Sequence, residues 1–363
     1  MTKGKFKAFI FSRKTLPFWL ALLTFGLVEL LARHPQITEV AYSQTLFPLI
    51  ASFLSFVNQW ISISLDDAFY ALLIIFLLTI IILAIARRIK FSKFLMFFFQ
   101  TLAICYILFY WLWGFNYYRE NVNNRLSIAH APPDSVQFVT VLEQLIDETN
   151  ASYCSFDGIS KPEIAREVEA SYQKLASFLK LKYPQGVRVA KPITLSSFFA
   201  KASIAGYYGP FFGEVHLNNK LLMIEYPQVL AHESAHQFGI TSEAEANFFS
   251  WLVCSQSQSK HLKYSGNINT LTYFLSQAKQ LHNFKELIQK IDKPVIADIR
   301  TVQQHWERMR NEKIDKVAGK VNDVYLKTNK IKRGIEDYFG VVQFVMDFKT
   351  DSAAQSKAGI YKN

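Results

Sequence analysis

His232-Glu233-Ser234-Ala235-His236 sets two imidazoles four positions apart, with a carboxylate directly after the first. On an α-helix, residues i and i+4 share a face, so both rings can reach one tetrahedral ion. The chemistry implied is zinc-dependent hydrolysis: the two histidines bind the metal and Glu233 meets its water as general base. The metal lowers that water's pKa towards ~7. The pattern alone arises by chance in roughly one chain in a hundred of this length, so its surroundings matter. Tyr226-Pro227 supplies a helix start, Leu230, Ala231 and Ala235 favour helix, and Gly239 supplies a stop.

An open catalytic zinc site takes three protein ligands. The next predicted helix offers Glu243 and Glu245. Ser242 followed by Glu245 reads as a capping box, which gives Glu245 a structural task and leaves Glu243 as the third ligand, with Glu245 the alternative. Asn247 lies one turn beyond Glu243, placed to hold a ligand histidine by its outer N–H. Cys254 shares that face but lies roughly 16 Å along the helix, too far to bind the same ion.

Other residues offer less. His216 alternates with apolar neighbours in a strand pattern and reads as structural. His130, His282 and His305 lack ligand-like neighbours. A transition-state electrophile is expected from a Tyr, His or Arg, for which Tyr208, His261, Tyr264 and Tyr325 are candidates. Of three cysteines, Cys105 falls in an apolar stretch, while Cys154 and Cys254 have the option of pairing in an oxidising compartment.

The elements that must position these groups divide the chain. Residues 16–32, 68–86 and 94–113 are apolar stretches of membrane-spanning length. Segment 46–61 is apolar but interrupted by Pro48, Ser52, Ser55, Asn58 and Gln59, and is expected to lie in the interface rather than cross. The net charge of +11 looks like a nucleic-acid signal until it is located. Lys3, Lys5, Lys7, Arg13 and Lys14 precede the first stretch, and Arg87, Arg88, Lys90 and Lys93 join the second to the third. From Phe115 onward, 30 Lys+Arg face 25 Asp+Glu. The basicity therefore reports topology: N-terminus inside, everything after Trp113 outside, and no nucleic-acid partner expected. Residues 1–115 form the membrane region and 116–363 a globular domain. In that domain, 136–148, 162–181, 227–238, 243–255 and most of 267–348 read as helix, with breaks at Pro132-Pro133 and 150–160. Residues 187–197 and 206–218 read as strands. The fold class is α+β, mostly helical with a small sheet.

His232-Glu233-x-x-His236 followed by Glu243-x-x-Ala246-Asn247 resembles the gluzincin peptidases, in which the HExxH helix is completed by a glutamate on the next helix. It is similar to the second motifs of membrane-bound prenyl-protease relatives and of immunity-repressor-cleaving peptidases. That resemblance implies a zincin-like domain, Zn²⁺ as cofactor, and an edge strand that pairs with substrate, here through Tyr207, Tyr208 and Gly209. The link of six residues between His236 and Glu243 is shorter than in most gluzincins, which demands a tight turn at Phe238-Gly239-Ile240, and Asn247 stands where aspartate is usual. The whole chain also resembles an uncharacterised bacterial family with N-terminal membrane helices. That likeness rests on 113–119, 209–214, 232–247 and 325–327.

Together these features lead to a multi-pass protein of the bacterial cytoplasmic membrane whose outer domain is a zinc metallopeptidase acting on envelope peptides or proteins. The alternative is a non-enzymatic envelope protein with a structural or degenerate zinc site. An intramembrane protease is disfavoured, because the motif follows the last span by more than a hundred residues and sits among polar neighbours.

Overall fold

Among the described residues, four N-terminal helices are long and apolar enough to cross a membrane: α1 (Leu16–Arg33), α2 (Pro35–Asn58), α3 (Leu65–Ile85) and α4 (Phe91–Leu112). They belong to a computed structural model that describes residues 13–132, 134–182 and 189–360. The basic residues at 3, 5 and 7, Pro133, and the start of the strand expected from 187 lie outside the described residues.

α3 and α4 form an antiparallel hairpin whose turn carries Arg87, Arg88 and Lys90, with Arg87 at φ 55°. α1 runs alongside α4 in the same direction. Gln100 donates to the Lys14 carbonyl at 2.7 Å, and the Trp111 indole donates to Thr24 Oγ1 at 3.1 Å. The C-terminal end of α1 and the N-terminal end of α3 both meet the domain, through Glu29–Lys330 and through Asp67–Tyr207.

α2 joins those two ends. By length and composition it qualifies as a span, yet its contacts run along the domain. Glu39 pairs with Arg119, Gln44 donates to the Lys180 carbonyl at 2.9 Å, Ser55 accepts from Gln237 at 3.4 Å, and Asn58 donates to the Phe212 carbonyl. The interrupted segment expected at 46–61 is therefore the second half of one longer helix that starts and finishes on the domain side. Its Thr38–Leu46 stretch is wound as a π-helix, which brings Glu39 and Gln44, five positions apart, to 3.0 Å.

After a 3-10 turn at Gly114–Tyr118 come α5 (Val122–Leu126), α6 (Ser135–Ser152) and α7 (Lys161–Leu175). A three-stranded sheet follows, with β1 (Lys191–Pro192), β2 (Gly206–Gly209) and β3 (Glu214–Leu217) in the order β1-β3-β2. Among the described residues of the strand expected over 187–197, two pair, Lys191 and Pro192. Pro192 has no N–H for a ladder, and the Ser196 hydroxyl bonds the Ile193 carbonyl at 2.7 Å, turning the chain into α8 (Ser196–Ala200). The strand expected over 206–218 is a hairpin instead, with Tyr207 opposite His216 and β2 on the sheet edge.

α9 (Tyr226–Gln237), α10 (Glu243–Ser255) and α11 (Lys260–Ala278) form the centre of the domain. Every residue of α9 is buried, so its helix is enclosed on all sides rather than presenting one wet face. Phe248, Phe249, Leu252, Leu262, Leu271 and Phe274 of these helices have no exposure; Phe274 stacks on Phe138 of α6, and Phe248 packs on Phe344 and Phe348 near the C-terminus. Full burial of such side chains contributes about 1.5–3 kcal/mol each. The remaining elements are α12 (Phe284–Gln289), α13 (Lys293–Met309), α14 (Glu312–Thr328), a 3-10 segment Gly334–Gly340, α15 (Val341–Thr350) and α16 (Ser352–Lys357). The molecule is thus mostly helical with one small sheet and apolar N-terminal helices.

Candidate metal centre

His232 and His236 fall one turn apart on α9, and the chain then reverses within a few residues. Gly239 adopts φ 79°, a left-handed conformation that favours glycine, and an added Cβ would stand 2.8 Å from the Phe47 ring. This turn brings the Ile240 carbonyl to 2.6 Å from His236 Nδ1. Ser242 then caps α10 by accepting the Glu245 N–H, and Glu243 opens that helix facing the two rings.

The three side chains meet. His232 Nε2 lies 3.2 Å from His236 Nε2 and 3.1 Å from Glu243 Oε2, and His236 Nε2 lies 3.5 Å from the same oxygen. A tetrahedron whose centre is ~2.0 Å from each corner has edges of about 3.3 Å, which these separations match. The outer nitrogens are engaged: His232 Nδ1–H donates to Asn247 Oδ1 at 2.9 Å, and His236 Nδ1–H donates to the Ile240 carbonyl. With protons held on Nδ1, both Nε2 lone pairs point inward beside a carboxylate oxygen, an arrangement that calls for a cation. Among the described residues, only His232, His236 and Glu243 form such a group of His, Cys, Asp and Glu donors.

The charges of the cluster act strongly on one another. Burial lowers the His236 pKa, but the adjacent Glu243 carboxylate outweighs it and raises the value to about 9. Burial pushes Glu243 up, and the two imidazoles more than reverse that, holding it far below the carboxylate range. Glu233 is raised by burial, with the histidines opposing, and its Oε2 is buried without a hydrogen-bond partner. The group stands against β2, since a Cβ on Gly206 would lie 2.7 Å from Glu233 Oε1. No side chain longer than glycine fits there while Glu233 keeps its place.

Comparison with protein families matches residues 42–346 to "Protein of unknown function (DUF3810)". The chain belongs to this family. The DUF3810 match includes all of α9 and α10 and every residue named in the site. Comparisons with curated proteins and with solved structures return no match.

Glu245, the alternative ligand, points elsewhere in this DUF3810 protein. Its carboxylate does not fold back on its own helix as a capping box requires. It accepts the Val122 N–H at 2.9 Å and pairs with Arg125 in the interior. Ser242, besides capping, donates to Asp337 at 2.8 Å, which ties the Gly334–Gly340 segment to the start of α10.

Of the proposed electrophiles, Tyr264 is engaged by Asp298 at 2.7 Å and His261 packs on Phe156. Tyr208 packs on Trp113, with ring centres 5.3 Å apart, and Tyr325 bonds the Tyr117 hydroxyl at 3.0 Å. The residue that sequence reasoning missed is Tyr338. Burial first, then the charges of Glu243 and Glu233, push its phenol well above the ordinary value, an influence of Glu243 that Tyr117, Tyr273 and Tyr325 share. No spacing rule reaches it from the motif. His216 is structural, as its pattern implied: its Nε2 meets Ser64 Oγ at 2.7 Å and Tyr207 stacks on it at 4.4 Å. His130 bonds Asp347 and His305 the Lys220 carbonyl. Cys154 and Cys254 are free thiols, not a disulfide.

The site sits on the ends of the apolar helices despite its distance along the chain. Trp113, which follows α4, donates its indole N–H to the His236 carbonyl at 2.9 Å, and its ring lies 6.2 Å from the His236 ring. On the other side, Ser64 caps α3 and Glu214 of β3 accepts the Asp66 N–H at 3.0 Å. Burial raises the Glu214 carboxyl, but hydrogen bonds from His216, Asp66 and Lys191 outweigh it and hold it at about 2. Helix α9 thus meets the end of α4, and the edge strand β2 meets the start of α3.

Proposed function

We propose that this chain is a membrane-anchored zinc metallopeptidase with a zincin-like domain, hydrolysing peptide bonds of envelope peptides or proteins. The observation that carries the reading is the tetrahedral triangle of His232, His236 and Glu243 with a desolvated Glu233 beside it. Two imidazoles and one carboxylate are a zinc donor set that leaves a coordination position open. A zinc ion held there supplies Lewis-acid polarisation of a carbonyl and lowers the pKa of water. Glu233 takes the proton from the attacking water and returns it to the leaving amine. Tyr338 donates a hydrogen bond to the oxygen that gains charge. β2, an edge strand, offers Tyr207, Tyr208 and Gly209 to an extended substrate backbone.

The positive-inside rule, applied to the Arg87–Lys93 turn far from the domain, supports a domain on the outer face of the bacterial cytoplasmic membrane. α1, α3 and α4 then cross, while α2 stays on the outer side with the domain it packs on.

Chelation of the purified full chain should abolish hydrolysis of an unstructured protein and of a peptide library, and one equivalent of zinc should restore it. A zinc-loaded chain that leaves both soluble and membrane-inserted peptides intact would contradict the assignment. Asn247→Ala should weaken zinc binding about 10–100-fold, because it frees the His232 ring, while Asn247→Asp should retain it. Competition with a chromophoric chelator reads both.

A further inference from the structure

The geometry points to α14 as a helix that lies in the headgroup–acyl boundary of the same bilayer that α3 and α4 enter. Val317, Val321 and Val324 recur at i, i+4 and i+7, forming one stripe, and are 62, 64 and 64 % exposed. Such a stripe on a soluble face has no evident reason to be apolar. What borders it identifies its occupant.

On one side of the stripe, roughly 60–100° round the helix, Tyr325 packs on Phe109 in the last turn of α4 and on Tyr117 just beyond it, with ring centres 6.1 Å apart in each case. On the other side Lys313, Lys316 and Lys320 recur at i, i+3 and i+7, all exposed. Passing round α14 from the tops of the spans, one meets Tyr325, then the valines, then the lysines. The apolar stripe is thus continuous with the lipid-facing surface of the spans. The lysines stand one step further out, where long cationic side chains reach phosphate while their stems stay in the boundary.

Both ends of α14 are fixed at this level. At its C-terminal end, Asn329 accepts from the Tyr110 hydroxyl at 2.9 Å and Lys330 pairs with Glu29 of α1 at 2.8 Å. At its N-terminal end, the Asn311 N–H donates to the Lys201 carbonyl at 2.9 Å. Lys201 follows α8, and Thr194 just before α8 is held by Asp67 in the first turn of α3. α14 is ~25 Å long, so it spans the gap from α3 to α4 across the membrane-facing side of the domain. Leu195 and Phe198, at α8, are likewise exposed apolar side chains. The occupant is therefore the bilayer, with anionic headgroups facing the lysines.

The test is nitroxide scanning of the full chain in nanodiscs containing phosphatidylglycerol, in a background with Cys105 and Cys154 replaced by Ser. Cys254 has no exposure and stays. Labels placed singly at 317, 321 and 324 should collide with oxygen several-fold more than with an aqueous nickel chelate. Labels at 316 and 320 should show the reverse. A nickel-accessible valine stripe would overturn the proposal. So would a stripe shielded from both reagents, which would mean that a second copy or another protein covers it. Neither readout depends on zinc or on peptide hydrolysis, so the outcome stands apart from that of the peptidase reading.

Discussion

Replacing Glu233 by Gln should leave the bound zinc in place and slow peptide hydrolysis by about 10²–10⁴-fold, the usual contribution of a positioned general base. The substitution keeps the shape of the side chain and so respects the space against Gly206, where an added Cβ would already be too close. It also removes an unpartnered buried carboxylate oxygen, so the variant should unfold at or slightly above the wild-type temperature. That combination separates a chemical role from a structural one. A structural residue loses stability and activity together, whereas Glu233→Gln should lose activity alone. The check is steady-state hydrolysis beside metal content and thermal unfolding on the same preparation. Undiminished hydrolysis would sink the mechanism.

Arg125→Met should destabilise the domain by about 3–5 kcal/mol, because it leaves the buried Glu245 carboxylate without its paired guanidinium. Burial lowers the Arg125 pKa to about 10 and raises that of Glu245, while each charge holds the other ionised. Removing both charges relieves the problem, so Arg125→Met with Glu245→Leu should recover much of the loss. Glu245 is two residues from Glu243 on α10, and the single variant should therefore also weaken zinc binding, through movement of the helix start. Denaturant unfolding of the purified chain, single against double variant, measures the difference. Equal stabilities for wild type and Arg125→Met would show that the pair is dispensable.

What could be read in the sequence follows from how local each feature is. The two histidines and Glu233 are fixed by one helical turn, and Glu243 is reached through a link too short to wander, so their convergence was legible. The Asn247 contact with His232 follows from the same helix periodicity. Glu245 was misjudged because a local rule, the capping box, competed with a partner 120 positions away, Arg125, which no local pattern reveals. Tyr338 escaped for the same reason. It arrives through a segment anchored by the Ser242–Asp337 bond, 95 positions along the chain. The closeness of the site to the apolar helices was also hidden. A motif far from the last span was expected to stand clear of it, yet the Trp113 indole reaches the His236 carbonyl. Burial of α2 against the domain belongs with these, since interruptions by Ser52, Ser55 and Asn58 read as weak apolarity when some of them are polar contacts to Gln237 and Phe212.

The most direct test of the central claim is the zinc content of the purified full chain, measured by mass spectrometry beside His236→Ala. One zinc per wild-type chain, lost in the variant, is the result predicted from the triangle of His232, His236 and Glu243. Absence of zinc from the wild type after loading, with no shift in thermal unfolding, would contradict it and remove the ground for a metallopeptidase.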